Sequence, residues 1–594
     1  MRRDRVTVGR ATAWVLLGLL ATGSGALAGE TPDWPRENDA AVAEFRAANR
    51  APTPAEALAG LQRALDRLDA LLLHPAPDAA SLRRARSDRV VVLAALGKNS
   101  EALQAVAALE GEGAPLPAYV LSSAGDAAAG LPDPAQALAW YERALAADPG
   151  LESAHAGRIF ALADLDRLDE AERILRERLK GAPPGPATAR DELRLSMVLA
   201  WRGDLDEALT RSQALLEAWP ADADVAIESA GVLLQAERPR DALARYEAAL
   251  ARTPGSRRAL LGRAQALERL ARWDEAQAAY AALGPQEPGW RPLARARESS
   301  EADRAAQLSF TLRTAEGPDR ELAGSEWLRE ARLSSPRSRA GWRAFVGTRE
   351  AQAEYQGQDL RDRRHFIGAS LQRGDWRVRG QLNRPDDGFS DEAGWALDVD
   401  WQPADRLSLS LGYAQAAYDL PLRGRAVGTV GDRWSLAARW QPSAQHAIRA
   451  SLGSTDYSDG NRSETLGLGT SHRSSLGRRS TLTLEPALFA SRQSRQDVPY
   501  FSPEHDLSVE LGGALEQRLW LRPGRRLAHA LEFGFGQQRQ SGFDPDVTAR
   551  LAYRLDWDVS PGTRLFLRIG RSRRAYDGVP EYQTRLELGG WWSL

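Results

Sequence analysis

Two periods of apolar residues divide the chain. From about Ala51 to Arg297, apolar positions recur at helical spacing in a background rich in Ala, Leu, Glu and Arg, all strong helix formers. From Gln307 onward the period falls to two, the alternation of a strand whose side chains point to opposite faces in turn. Trp395, Leu397, Val399 and Trp401 alternate with Ala396, Asp398 and Asp400, and Val547, Ala549, Leu551, Tyr553, Leu555, Trp557 and Val559 with Thr548, Arg550, Ala552, Arg554, Asp556 and Asp558. The stretch Glu581 to Leu594 has Tyr582, Leu586, Leu588, Trp592 and Leu594 on one face and Gln583, Arg585, Glu587 and Ser593 on the other.

The helical half repeats. Ala137, Ala171, Ala208, Ala242 and Ala276 each follow an acidic or polar pair, at spacings of about 34 residues, and Pro149, Pro183, Pro220 and Pro254 keep the same rhythm. This is the tetratricopeptide (TPR) signature: helix-turn-helix units that bury their apolar stripes against one another and form a superhelix. The periodic Ala, Leu and Tyr positions are read as packing, and the Asp-Glu pairs as favourable charges at helix N-termini.

The second half divides into about sixteen strands of roughly ten residues, the length a tilted membrane strand needs. Connections after the even strands read as short turns, such as Pro403-Ala404-Asp405 and Ser560-Pro561-Gly562. Those after the odd strands read as longer, notably Asp419 to Gly431 and Ser494 to His505. One-sided loop lengths fit an even-stranded outer-membrane barrel with short periplasmic turns, and a soluble sandwich gives no reason for them. The apolar faces, several carrying Trp or Tyr near an end, are then expected to meet lipid.

The N-terminus agrees with that destination. Arg2, Arg3, Arg5 and Arg10 precede the apolar run Ala11 to Leu27, and Ala26-Leu27-Ala28 reads as a cleavage site before Gly29: a secretory signal peptide. The formal net charge of -2 speaks against a general nucleic-acid binder, and the absence of cysteine excludes disulfides and thiol chemistry. The expected organisation is a signal peptide over 1–28, a linker over 29–50, periplasmic TPR-like repeats over 51–297, a linker over 298–305 and an outer-membrane barrel over 306–594. The fold class is thus an α-superhelical solenoid followed by an antiparallel transmembrane β-barrel, expected to be monomeric and in contact with outer-membrane lipid.

If the apolar faces meet lipid, the opposite faces line a lumen. Asp398, Asp400, Glu485, Glu532, Asp556, Asp558 and Glu587 would point inward together with Arg550, Arg554, Arg568 and Arg585. Most would pair across strands, and collectively they offer a hydrated path for a polar solute. Asp398/Asp400 and Asp556/Asp558 lie about 6–7 Å apart along one face, a spacing that permits carboxylate-pair glycoside hydrolysis. Nothing else marks either pair, so no enzyme, cofactor or metal site is expected.

Two local stretches add a resemblance. Val498-Pro499-Tyr500-Phe501-Ser502-Pro503 and Arg573-Arg574-Ala575-Tyr576-Asp577-Gly578, together with the domain order, resemble the poly-β-1,6-N-acetyl-D-glucosamine export porin family, PgaA. The cellulose export subunit BcsC shares the layout and a similar Tyr-Phe-Ser-Pro segment, usually with a far longer repeat region. The resemblance implies a passive conduit for a partially deacetylated, partly cationic amino-sugar polymer that enters the biofilm matrix, which acidic lumen residues would suit. It also implies that the repeats receive the polymer or dock a periplasmic deacetylase. A cellulose-type exporter, or a barrel-anchored scaffold or receptor without transport, is the alternative.

Overall fold

The computed structural model describes residues 32–594 apart from 132, 285–290, 388–391, 418–419, 478 and 523. The segment expected as a signal peptide lies outside the described residues. Among the described residues, fifteen helices precede the strands: α1 (Trp34–Ala48), α2 (Pro54–Leu72), α3 (Ala79–Ala95), α4 (Asn99–Gly111), α5 (Ala118–Gly130), α6 (Pro134–Ala147), α7 (Glu152–Asp164), α8 (Leu168–Leu179), α9 (Pro186–Arg202), α10 (Leu205–Ala218), α11 (Ala223–Gln235), α12 (Pro239–Arg252), α13 (Arg257–Arg269), α14 (Trp273–Ala282) and α15 (Arg291–Arg304).

Local chemistry starts these helices where they start. Thr53, Asp78, Asp133, Asp222 and Ser256 accept backbone N–H groups of the following first turn, and Pro54, Pro134, Pro186 and Pro239 occupy first-turn positions whose N–H needs no partner. The repeat alanines Ala137, Ala171, Ala208, Ala242 and Ala276 are all buried. Tyr141 explains two small neighbours: a Cβ on Gly157 would lie 2.2 Å from its ring, and one on Gly125 2.5 Å from it. Tyr246 excludes a side chain at Gly262 in the same way.

Both segments expected as linkers are helical at least in part. Within 29–50, α1 packs on α2, with the Trp34 indole buried and its Nε1 donating to the Pro75 carbonyl at 3.1 Å. Its apolar stripe is made largely of alanine, so periodicity does not reveal it. Residues 298–304 close α15, which begins with Pro292 in its first turn and buries Leu293 and Ala296 against the array. Its remaining face is charged because it meets the barrel, not solvent alone: Arg337 contacts Asp303 at 3.2 Å. No helix among the described residues is long and apolar enough to cross a membrane.

The strands are β1 (Gln307–Glu316), β2 (Ser325–Ser334), β3 (Trp342–Tyr355), β4 (Gln358–Arg373), β5 (Trp376–Asp387), β6 (Gly394–Ala404), β7 (Leu407–Gln415), β8 (Gly431–Trp440), β9 (His446–Tyr457), β10 (Arg462–Ser475), β11 (Ser480–Gln493), β12 (His505–Arg522), β13 (Arg525–Gln540), β14 (Asp546–Ser560), β15 (Thr563–Tyr576) and β16 (Val579–Ser593). A short helix, α16 (Leu422–Ala426), interrupts the β7–β8 loop. The sheet is a closed antiparallel barrel in which β1 pairs with β16, Leu312 opposite Leu588 and Arg313 opposite Glu587. Closure leaves no strand edge unpaired, which a lipid environment requires.

Outward positions along the middle of the strands are largely apolar. Ile367 is 58% exposed, Leu382 62% and Phe535 65%, while Phe366 and Asn383, one residue away, are buried. Trp342, Trp376, Trp401 and Trp440 stand outward near the turn end, with Trp376 stacked on Trp401 at 5.4 Å. Loop lengths are less one-sided than the sequence suggests. The β3–β4 and β15–β16 connections are the two-residue turns Gln356-Gly357 and Asp577-Gly578, all four residues at positive φ, and 335–341 after β2 is not short. Asp-Gly with both residues at positive φ is a hairpin turn matched to strand twist. The asymmetry is carried by 416–430 and 494–504.

Candidate functional site: the barrel lumen and its two mouths

Strand register places all the sequence-derived lumen residues on the face opposite the outward tryptophans and leucines. On the β12–β16 wall they form a connected network. Arg554 reaches Glu532 at 2.9 Å, Asp556 at 2.8 Å and Glu516 at 3.1 Å, and Glu532 also meets Arg568 at 2.6 Å. Arg550 pairs with Glu510 at 3.0 Å, Asp558 with Arg564 at 2.5 Å, and Glu587 with Arg313 at 3.2 Å. Asp398 and Asp400 lie across the β5–β6 register from Arg379 and Arg377, and Ser410 donates to Asp400 at 2.6 Å. Arg585 bonds Gln583 on its own strand at 2.7 Å. A carboxylate whose hydrogen-bonding capacity is spent on arginines is poorly placed for acid–base work. Neither aspartate pair is set apart as a catalytic dyad.

Further basic side chains join the mixed set of acids and arginines that the alternation places inward. Arg433, Arg439, Arg449 and Arg473 share the inner face of β8–β10. Among them, Arg449 lies 3.6 Å from the Glu485 carboxylate. One wall therefore carries a network of paired acids and bases, and another brings four arginines together. Alternation reveals that a residue faces inward but not which strand it faces, so this division was not legible beforehand.

At the loop end, several contacts involve side chains that sequence reasoning did not single out. The β7–β8 loop reaches across to β4, where Arg425 binds Asp362; Asp362 also meets Arg364 at 3.3 Å, and Arg364 bonds Asn383 at 2.8 Å. All four residues are buried. Next to them Arg423 pairs with Glu321 at 2.8 Å, and the Glu581 carboxylate accepts the backbone N–H groups of Glu321 and Leu322 at 3.1 and 2.8 Å. Gly424 lies under Tyr500: a Cβ there would come within 2.7 Å of the ring. Burial raises the Tyr500 hydroxyl above its ordinary 10.0, so it stays protonated and donates to Asp459 at 2.9 Å.

The two stretches that carry the family resemblance meet at this mouth. Phe501 packs edge-on against Tyr576 at 4.9 Å, Ser502 accepts from Asn461 at 3.0 Å, and Pro503 follows in the same loop. Asp577-Gly578 forms the β15–β16 turn, Gly578 against the Phe543 ring, and Arg573 pairs with Asp546 at 2.7 Å on the outer side.

At the turn end the array docks on the barrel. Asp405, in the β6–β7 turn, accepts the backbone N–H groups of Arg240 and Asp241 at 3.0 and 3.3 Å and the Arg240 guanidinium at 3.0 Å. A barrel carboxylate thus caps α12, where the helix presents unpaired N–H groups and the positive end of its dipole. Arg240 also reaches Asp375 at 2.6 Å. The Trp273 indole donates to the Gln372 carbonyl at 2.7 Å, and Asp166 meets Arg479 at 2.9 Å and Arg518 at 3.4 Å. Between the array and these turns lies a cavity of about 1510 Å³, lined among others by Asp164, Trp201, Arg295 and Trp520. Phe160 stands 6.0 Å from Trp201 on the neighbouring helix and is 44% exposed.

A model of the PgaA membrane beta barrel domain matches residues 315–589. The barrel is a PgaA-type membrane barrel. A tetratricopeptide repeat model matches residues 233–298 of the array docked beneath it. The PgaA-type barrel lies in the outer membrane with the repeat array attached at its turn end, and this family and fold belong to transport barrels, not to an enzyme class. Among solved structures, one described as a bacterial polysaccharide outer membrane secretin is 18% identical, with a TM-score of 0.46, covering 49% of this chain and 99% of its own. A tetratricopeptide repeat protein from Parabacteroides merdae is 15% identical, with a TM-score of 0.32, covering 45% of this chain and 99% of its own. OpdL of Pseudomonas aeruginosa is 12% identical, with a TM-score of 0.29, covering 49% and 98%. No curated protein sequence matches the chain.

Proposed function

We propose that the chain exports an exopolysaccharide across the outer membrane, through a lumen that opens toward the repeat array and is closed at the cell surface by the β7–β8 loop. The match of the strands to the PgaA membrane barrel carries this reading. The lumen supports it physically, since its charges are arranged as a hydrated strip of hydrogen-bonding groups along the inner wall. The barrel is passive, and elongation of the polymer by a synthase in the inner membrane supplies the drive. The cargo in this reading is partially deacetylated poly-β-1,6-N-acetyl-D-glucosamine, destined for the biofilm matrix. Its ammonium groups would meet the carboxylates Glu510, Glu516, Glu532, Asp556 and Asp558, and its neutral N-acetylated stretches would pass the arginines of β8–β10. The array would receive the polymer at the cavity beside Trp201 or hold its periplasmic deacetylase.

A second reading has one observation in its favour. The Arg425–Asp362 contact buries charge across the mouth, as a permanently closed anchor for a repeat scaffold would. Single-channel recording separates the two: a conduit conducts once the β7–β8 loop is released, and an anchor does not. Gene deletion tests the export reading directly, with retention of the polymer inside the cell as the expected result.

A further inference from the structure

The outward face of the barrel changes character toward the loop end of β2–β5. In cross-strand register, Leu333, Val346, Ile367 and Leu382 form an exposed apolar row. One outward row further toward the loops stand His365 and Arg384; the rows beyond it hold Arg329, Glu350 and Arg363, then Trp327 and Arg361. Outward positions along a strand are about 7 Å apart and neighbouring strands about 4.8 Å. Four guanidinium groups therefore share a patch no wider than a lipid headgroup or two, directly above the apolar belt.

The patch is only half neutralised. Glu350 binds Arg361 at 2.5 Å and Arg363 at 3.5 Å, and Asp386 lies 3.5 Å from Arg363 and 3.3 Å from His365. Arg329 and Arg384 are exposed and have no carboxylate partner among the described residues. The Arg329 guanidinium lies over the Trp327 ring at 3.9 Å, which holds it flat at the barrel surface. At the turn end of β3, β5 and β6 the corresponding girdle positions are tryptophans, Trp342, Trp376 and Trp401. Trp suits an interface without a specific charge demand, whereas clustered arginines suit phosphate, which they bind by paired N–H groups.

We infer that the outward face of β2–β5 binds a phosphorylated lipid headgroup of the cell-surface leaflet, with Arg329 and Arg384 as the two guanidinium groups left free for phosphate. Basic pockets at the level of lipid headgroups bind anionic lipids by the same chemistry. The inference concerns the lipid face and stands whether or not the lumen carries a polysaccharide.

The test uses the full chain in phosphatidylcholine nanodiscs, supplied with diphosphorylated lipid A, its dephosphorylated form or inorganic phosphate alone, and counts retained lipid by native mass spectrometry. Wild type should retain the diphosphorylated lipid about ten-fold better than the double variant Arg329→Gln/Arg384→Gln, and better than it retains the dephosphorylated lipid. Both substitutions are exposed and leave no buried group unpaired. Heat-dependent gel migration confirms that the variant barrel is folded, and a single Arg329→Gln variant replaces it if the double variant is not. Equal retention by wild type and variant, or equal retention of both lipid forms, overturns the assignment. So does uptake of inorganic phosphate at the patch with no preference for the lipid.

Discussion

Arg425 and Asp362 form the contact on which the proposed closure at the cell surface depends. Both side chains are almost fully removed from solvent, and removing one partner of such a pair commonly costs about 3–5 kcal/mol. Arg425→Ala should therefore release the β7–β8 loop and raise the open probability of the reconstituted barrel at least ten-fold in planar bilayers; an unchanged closed trace would remove this contact from the gate. Gly424 acts through shape. Gly424→Val should displace Tyr500 and give a similar, weaker opening, because its Cβ would fall within 2.7 Å of the ring.

A residue-scale prediction also concerns the array. Burial pushes the Glu152 carboxyl upward, but hydrogen bonds and charges from Arg194 and Arg178, at 3.2 and 2.8 Å, outweigh it and hold its pKa below the ordinary 4.5. A depressed carboxyl stabilises the fold above its unfolded pKa, and that contribution disappears as pH falls through the folded value. Thermal unfolding of the array should therefore weaken below about pH 4.5, and Glu152→Gln should flatten that acid limb while lowering stability at pH 7. A variant with an unaltered acid limb would contradict the role of this cluster.

At the scale of elements, what the sequence shows depends on how much of an element's environment is periodic. The repeat alanines and the strands with Leu and Trp on one face were readable because neighbouring repeats and lipid present the same surroundings at each period. Helix α1 was hidden by its alanine-rich stripe, and α15 by a charged face that meets barrel turns instead of water. Asp405 was visible only as a turn residue; that it caps α12 depends on a docking between segments about 165 positions apart. Lumen residues were legible as inward-facing, but their partners were not, because Arg554 spans two strands to reach Glu516. The Arg425–Asp362 contact was missed for the same reason: nothing local to Arg425 points to Asp362. Substituting the cap tests the docking element. Asp405→Ala should cost about 1–3 kcal/mol at the interface by removing both the helix cap and the Arg240 pair. The sign would be faster proteolytic cleavage between the array and the barrel, with the barrel itself intact.

At the scale of the molecule, the array and barrel make one route with two unlike ends. The turn end is covered by a docked superhelix with a roomy cavity beside Trp201, and at the loop end the β7–β8 loop is held to β4 by buried ion pairs. This arrangement suits a polymer that enters from a protein-lined chamber and must displace a loop to leave. The central claim is that the chain carries a polysaccharide outward, and the amount of polymer outside the cell tests it most directly. In a strain lacking the gene, secreted polymer should fall to background while polymer accumulates in the periplasm, and the full-length chain should restore secretion. Undiminished secretion in the deletion strain would contradict the account.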